Sequence, residues 1–348
     1  MTIQTQKALV QGPNNEPQIV TDHPIPSLPA DHVLVKTTHL ALNPTDWKHA
    51  TLGWTGPGSL AGCDFSGIVE AVGPAVTKRF APGDKVMGFN HGFNDRRPNA
   101  GAFAEHVITK GDLLFRCPEG MGMDEAATLP LGLYTVAQGL YQGILELAWP
   151  DQPTKDAEQI LIYGGSSATG ALAIQFAKLS GYTVLTTCST TNTDYVKSLG
   201  ADAVFDYRDP ACAQKIRAYT NDTLKLVYDT IGLPASTKIC SDAISSTGGK
   251  YMATLYNESE RADVQSDCRL AYTIFNEAFA MGDREFEAEQ DHFEFAKRFA
   301  VVAERLVAEG KVRAHRVRRM EGGLEGITGG FELMSKDKVS GEKLVYTV

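Results

Sequence analysis

The 348-residue sequence contains no apolar run of about 18 residues, the length a membrane-crossing helix needs. Its opening, Met1-Thr2-Ile3-Gln4-Thr5-Gln6, has no basic stretch leading into an apolar one, so it does not read as a secretory leader. The expected location is cytoplasmic. A long basic run is also absent, and 33 Lys and Arg stand against 42 Asp and Glu for a formal charge of -9. Generic attraction to nucleic acid or to anionic lipid is thereby excluded. The six cysteines, Cys63, Cys117, Cys188, Cys212, Cys240 and Cys268, form no C-x-x-C pair. That pattern excludes a four-cysteine zinc lobe and predicts reduced, mostly buried thiols. Internal repeats and low-complexity tracts are missing as well. A small-molecule enzyme or an adaptor remains.

What is present is ordinary for a soluble globular chain, 43% hydrophobic and 22% charged, and its length predicts two domains. The first 150 residues are rich in Gly, Pro and β-branched residues. Strand-like runs stand at 33–37, 67–72 and 85–89, separated by turn signals such as Ala81-Pro82-Gly83-Asp84. This predicts an irregular, mostly antiparallel β domain. The proline-bearing stretch 149–155 reads as a linker. From Gln159 onward strands at 160–163, 183–187, 203–205, 225–228 and 251–255 alternate with helical stretches, the pattern of a parallel sheet with helices on both faces. The polar stretch 257–267 has no clear assignment. A long amphipathic helix over 292–309, a strand over 313–318, a helix over 324–335 and a strand over 343–347 follow, and this tail is expected to rejoin the first domain.

The most informative motif is Gly164-Gly165-Ser166-Ser167-Ala168-Thr169-Gly170, between the apolar run 160–163 and an amphipathic stretch. Glycine permits a tight strand-to-helix turn, and the free amides at a helix start favour a pyrophosphate. Ser167 stands where a strict G-x-G-x-x-G has its middle glycine, so the loop acquires weight only from the alternation downstream. NAD enzymes commonly carry an acid at the end of the second strand. Here the sequence is Thr186-Thr187-Cys188-Ser189-Thr190-Thr191-Asn192, with no carboxylate. Hydroxyls, an amide and backbone N–H groups accept a 2′-phosphate that a carboxylate would repel, which favours NADPH. Lys197 either adds a positive charge or lies on a solvated helix face. Tyr207 either packs on the adenine end or belongs to the core.

Linked motifs in order carry a family resemblance over essentially the whole chain: Asn43-Pro44-Thr45-Asp46-Trp47-Lys48, Gly62-Cys63-Asp64-Phe65-Ser66-Gly67, Pro82-Gly83-Asp84-Lys85-Val86, Gly101-Ala102-Phe103-Ala104-Glu105 and Ala126-Ala127-Thr128-Leu129-Pro130. The chain resembles the zinc-independent medium-chain dehydrogenase/reductases. With Val204-Phe205-Asp206-Tyr207-Arg208 and Ser340-Gly341-Glu342-Lys343-Leu344-Val345 it is most similar to the trans-acting, lovastatin-type enoyl reductases of fungal highly reducing polyketide synthases. The resemblance implies an α/β protein with a GroES-like, mostly β catalytic domain over 1–155 and 290–348 and a Rossmann doubly wound parallel-sheet domain over 156–289. It implies NADPH contacts at Thr45, Asp46, Trp47 and Lys48, at Gly164, Gly165, Ser166, Ser167, Ala168 and Thr169, at Ser189, Thr190, Thr191 and Asn192, at Tyr207, and at Val339 and Ser340. It also implies a substrate-facing segment at the domain cleft comprising Pro130, Leu131, Gly132, Leu133, Tyr134, Thr135, Val136 and Ala137.

In the zinc alcohol dehydrogenases of the wider family a catalytic cysteine falls at Asn43-Pro44, and a Gly-His-Glu triplet at Gly62-Cys63-Asp64. Cys63 and Asp64 alone do not supply the three ligands of a catalytic zinc, so no metal is expected. The implied reaction is hydride delivery from NADPH to an enoyl chain tethered to the acyl carrier domain of a partner polyketide synthase. Lys48 is the catalytic candidate, either stabilising enolate charge or only binding cofactor; His49 is a weaker candidate acid. The alternatives are a free-standing NADPH quinone or alkenal reductase and a noncatalytic NADPH-binding regulator.

Overall fold

In the computed structural model, which describes residues 4–348, the chain folds as two units. The first takes residues up to Leu131, Tyr272–Ala308 and Ala314–Val348; the second takes Gly132–Ala271 and Glu309–Arg313.

The first unit is built on a seven-stranded sheet. Along it run Val317–Met320, Lys343–Thr347, His32–Ala41, Asp64–Val72, Lys85–Phe89 and Phe115–Arg116, with His106–Lys110 also paired to His32–Ala41. Only Val317–Met320 and Lys343–Thr347 are parallel neighbours; the other pairs are antiparallel. Register shifts at Leu34/Val35 and Thr37/His39 bend the strand His32–Ala41. One of its edges then serves His106–Lys110 along residues 32–36 and Lys343–Thr347 along residues 39–41. The apolar positions Leu9, Val33, Val35, Leu40, Phe65, Val69, Phe103, Leu344 and Tyr346 gather into one core. The C-terminal strand thus completes a sheet begun by the N-terminal third.

The second unit holds a six-stranded, all-parallel sheet in the order Ala203–Asp206, Thr183–Cys188, Gln159–Tyr163, Leu226–Asp229, Gly249–Ala253, Val264–Cys268. In chain order this is 3-2-1-4-5-6, the Rossmann arrangement, with the strand order reversing beside Gln159–Tyr163. The polar stretch 257–267, without a clear assignment from its sequence, overlaps the edge strand Val264–Cys268, in which Val264 alone is buried. An edge strand with one covered neighbour does not need the continuous apolar run of a central one.

The structure differs from the sequence reading in three places. The sequence boundaries at 155/156 and 289/290 differ from the divisions at Leu131/Gly132 and Ala271/Tyr272. Residues 132–155 are held by the second unit: Tyr228 OH donates to Thr135 O at 3.1 Å, Tyr141 OH bonds Ser180 Oγ at 2.9 Å, and Thr154 N donates to Ser180 O at 3.0 Å. The stretch 149–155 is therefore not a free linker. The strand expected over 313–318 is Val317–Met320, because Arg313 N and O are taken by the Gln175 side chain at 2.8 and 3.2 Å instead of a ladder.

Asp64 is the most constrained polar group of the first unit. It is 0% exposed, and its carboxylate accepts from Asn43 Nδ2 at 3.0 Å, Leu131 N at 2.7 Å and Lys343 Nζ at 2.5 Å. Lys343 is itself 3% exposed. Removing one partner of a buried pair leaves a charge sealed from water. Lys343→Met should lower the unfolding free energy by about 3–5 kcal/mol, seen as an earlier urea midpoint, with part of the loss recovered by adding Asp64→Asn; an unchanged midpoint in the single variant would show that the pair carries no stability.

Candidate active site

In the second unit, the strand Gln159–Tyr163 turns at Gly164, whose φ of +80° lies in the left-handed region. The turn is tight because three glycines leave no room for side chains. A Cβ on Gly165 would stand 2.0 Å from Thr186 Oγ1, and one on Gly170 would stand 2.2 Å from Gly164 O. Ser167 caps the helix Ala168–Leu179, its Oγ accepting from Gly170 N at 2.9 Å. Serine at this middle position thus performs a cap that glycine cannot. The amides of Gly164, Gly165 and Ser167 are bonded to Thr187 Oγ1, Thr187 O and Gly164 O. Those of Ser166, Ala168 and Thr169 have no partner among the described residues, and they stand at the positive end of a twelve-residue helix. This cradle fits the pyrophosphate of a dinucleotide.

The next two segments follow adjacent strands of the same sheet. After Thr183–Cys188 comes Ser189, 6% exposed, whose Oγ lies 2.9 Å from Thr191 Oγ1 and accepts from Asn192 Nδ2 at 3.2 Å. Thr190 and Thr191 are exposed. After Ala203–Asp206 comes Tyr207, 38% exposed, its ring centroid 6.3 Å from that of Tyr163. The strand order 3-2-1 therefore brings 164–169, 189–192 and 207 together at the carboxyl ends of three neighbouring strands, where open α/β sheets bind ligands.

In the first unit, the helix Pro44–Thr51 starts where Asn43 is extended, Pro44 occupies the first turn, and Asp46 Oδ2 accepts from Asn43 N at 2.7 Å. The Asp46 carboxyl is 1% exposed and turned to this cap, so its side chain is structural rather than open to a ligand. Burial pushes its pKa up to about 7. Lys48 is half-buried, with Nζ 5.9 Å from the Trp47 ring centroid and no carboxylate partner among the described residues. Burial lowers its pKa. His49 is 3% exposed and pushed down to about 4 by burial, hence neutral near pH 7. Its Nδ1 lies 2.9 Å from Thr45 O, to which it donates.

Tyr272, which the sequence alone did not single out, anchors this helix. Its OH bonds Thr45 Oγ1 at 2.7 Å and lies 3.7 Å from Cys63 Sγ, while its ring stacks on His91 at 3.7 Å. Burial raises the Tyr272 and Cys63 pKa values and lowers that of His91. All three are neutral near pH 7. The only hint in the sequence was the apolar cluster Leu270-Ala271-Tyr272 after a polar stretch.

The helix Pro130–Ala137 buries most of the segment expected to face substrate. Leu133, Val136 and Ala137 are 0% exposed and Tyr134 is 1% exposed, which makes Tyr134 a core residue; Leu131 and Thr135 are partly open. Gly132 is needed for close packing, since a Cβ there would stand 2.7 Å from Leu172 Cδ1. Val339 packs partly on the first unit's core and Ser340 is exposed. No group of three His, Cys, Asp or Glu side chains among the described residues is placed to hold a metal ion.

The Asp46 carboxyl gives a pH signature. Its folded pKa of about 7 lies above the ordinary 3.8, so its contribution to stability is complete below pH 3.8 and is lost as pH rises through 7. Asp46→Asn keeps the acceptor for Asn43 N and cannot ionise. Between pH 4 and 8 the variant should gain up to about 2–4 kcal/mol on the wild type, measured by urea unfolding; parallel stability profiles would contradict a buried, protonated Asp46.

The profile of the alcohol dehydrogenase GroES-like domain matches residues 29–119, and that of the zinc-binding dehydrogenase domain matches residues 168–278. The chain is 42% identical to trans-enoyl reductase resD of Aspergillus sclerotiorum, over 98% of this chain and 100% of the relative. It is 50% identical to trans-enoyl reductase TOXD of Cochliobolus carbonum, over 79% of this chain and 92% of the relative. An alcohol dehydrogenase superfamily protein from Novosphingobium aromaticivorans shares the fold, with a TM-score of 0.81 and 24% identity over 99% of each chain. Near-complete overlap with the first of these relatives shows that the chain belongs to the medium-chain dehydrogenase/reductase superfamily, in its trans-enoyl reductase family.

Proposed function

We propose that this chain is an NADPH-dependent enoyl reductase that reduces α,β-unsaturated thioesters on the acyl carrier domain of a partner polyketide synthase. The observation that carries the reading is the dinucleotide cradle at 164–170, in a chain matched end to end by a trans-enoyl reductase. Six free cysteines suit a reducing, cytoplasmic setting.

When bound, the nicotinamide supplies the hydride that reaches the β-carbon of the enoyl group. The chain's own residues supply placement and charge. Ser166, Ala168 and Thr169 offer amides to the pyrophosphate, and the carboxylate-free segment Ser189–Asn192 accepts a 2′-phosphate where an acid would repel it. Lys48 has no carboxylate partner among the described residues, so its ammonium is available to the thioester oxygen as negative charge develops there. Its burial strengthens that interaction relative to one in water. Thr45 is held by Tyr272, which keeps the first turn of the Lys48 helix in place. Neutral His49, donating to the backbone, is committed to that support and does not act as an acid. Of the segment 130–137, Leu131 and Thr135 are the positions open enough to meet an acyl chain.

A steady-state comparison tests both substrate and residue. NADPH oxidation is followed with an enoyl group on a polyketide-synthase carrier domain, with a small enoyl thioester and with a quinone. The carrier-bound substrate should give the highest kcat/KM, and Lys48→Ala should lower kcat by roughly 100-fold or more while changing the NADPH Kd by less than about threefold. Turnover confined to the quinone would overturn the substrate assignment, and a loss restricted to NADPH affinity would make Lys48 a binding residue only.

A further inference from the structure

We infer that Arg208 is the side chain that grips the adenosine 2′-phosphate and thereby sets the preference for NADPH over NADH; the inference rests on the NADPH reading above. The loop 189–192 offers hydroxyls and an amide but no cation, and a phosphate dianion held by neutral groups alone would be weakly discriminated. The missing charge is supplied from the neighbouring strand. Asp206 pairs with Cys188 in parallel register, so Tyr207 and Arg208 leave the sheet level with Ser189 and Thr190, one strand spacing of about 4.8 Å away.

The local contacts hold Arg208 ready for an anion. Its guanidinium carbon lies 5.4 Å from the Tyr207 ring centroid, while the residue itself is exposed. It makes no ion pair and no side-chain hydrogen bond among the described residues. The carboxylates beside it are turned elsewhere. Asp206 Oδ1 accepts from Arg208 N at 3.0 Å, and Asp209 is taken by Ala211 N at 2.8 Å and by Lys215 Nζ. Stacking on an aromatic face restricts a planar fork whose parallel N–H groups match two phosphate oxygens. An arginine left without a carboxylate, fixed over a tyrosine and level with a hydroxyl-rich strand end, has the chemistry of a phosphate clamp.

Lys197 is the competing cation. It stands in the last turn of the helix Thr193–Ser198, five residues past Asn192, or about 7 Å along a helix rising 1.5 Å per residue. Arg208 stays at the level of the strand ends, where the ribose is expected.

Isothermal titration of the full chain with 2′,5′-ADP and with 5′-AMP isolates the phosphate from any turnover. The wild type should prefer 2′,5′-ADP. Arg208→Ala and Arg208→Gln should each weaken 2′,5′-ADP by roughly 10- to 100-fold and leave 5′-AMP within about twofold, while Lys197→Ala changes neither. If the wild type prefers 2′,5′-ADP but the Arg208 variants bind it as tightly, the role of Arg208 is overturned and NADPH specificity stands. If Lys197→Ala carries the loss, or both nucleotides weaken equally in the Arg208 variants, the assignment is likewise overturned. Equal wild-type affinity for the two nucleotides would overturn the NADPH reading itself, and Arg208 with it.

Discussion

Three stretches expected to meet cofactor or substrate are tied to one carboxylate in the first unit. Asp64 accepts from Asn43, immediately before the Lys48 helix; from the amide of Leu131, at the start of the helix Pro130–Ala137; and from Lys343, which follows the Val339–Ser340 loop. Asn43 and Leu131 are 88 positions apart in sequence, and Lys343 lies 212 positions beyond Leu131. A fully buried carboxylate is costly unless every lone pair is used, so the geometry of the three stretches is set together. Lys343 Nζ also donates to Thr128 O at 3.1 Å, which draws the approach to Pro130 into the same cluster. Side chains where the zinc enzymes of the wider family place ligands form here a cross-link within the protein.

Among the described residues, the second unit leaves backbone amides unpaired at the start of the helix Ala168–Leu179, the cradle proposed for the cofactor's pyrophosphate. Its strand order places three loops side by side, and the first of them is kept small by its glycines. Gly164 needs its left-handed φ, Gly165 meets Thr186, and Gly170 meets the carbonyl of Gly164. The cap from Ser167 removes one amide from the pool and leaves those of Ser166, Ala168 and Thr169 without a partner among the described residues.

Local features were legible in the sequence. The turn at 164–170, the carboxylate-free second strand end and the alternation from Gln159 depend on residues close in the chain, and the structure contains each of them. Features set by distant contacts were not. Nothing in residues 132–155 announces that Tyr141 and Thr154 bond Ser180, or that Arg313 spends its backbone on Gln175. Side-chain direction was the other blind spot. A motif identifies Asp46 and Tyr134 as members of ligand-facing segments, but helical periodicity turns both inward, to a cap and to a core. Tyr272 escaped notice because its partners, Thr45, Cys63 and His91, lie some 180 to 230 positions earlier.

The central claim is that the chain directs a hydride from reduced nicotinamide onto the β-carbon of a carrier-tethered enoyl group. The most direct measurement is isotope transfer, using NADPH deuterated at C4 on each face in turn and mass spectrometry of the acyl chain released from the carrier domain. One face should place a single deuterium at the β-carbon and the other none. A reduced chain free of deuterium from both cofactors, or label found only at the α-carbon, would contradict the account.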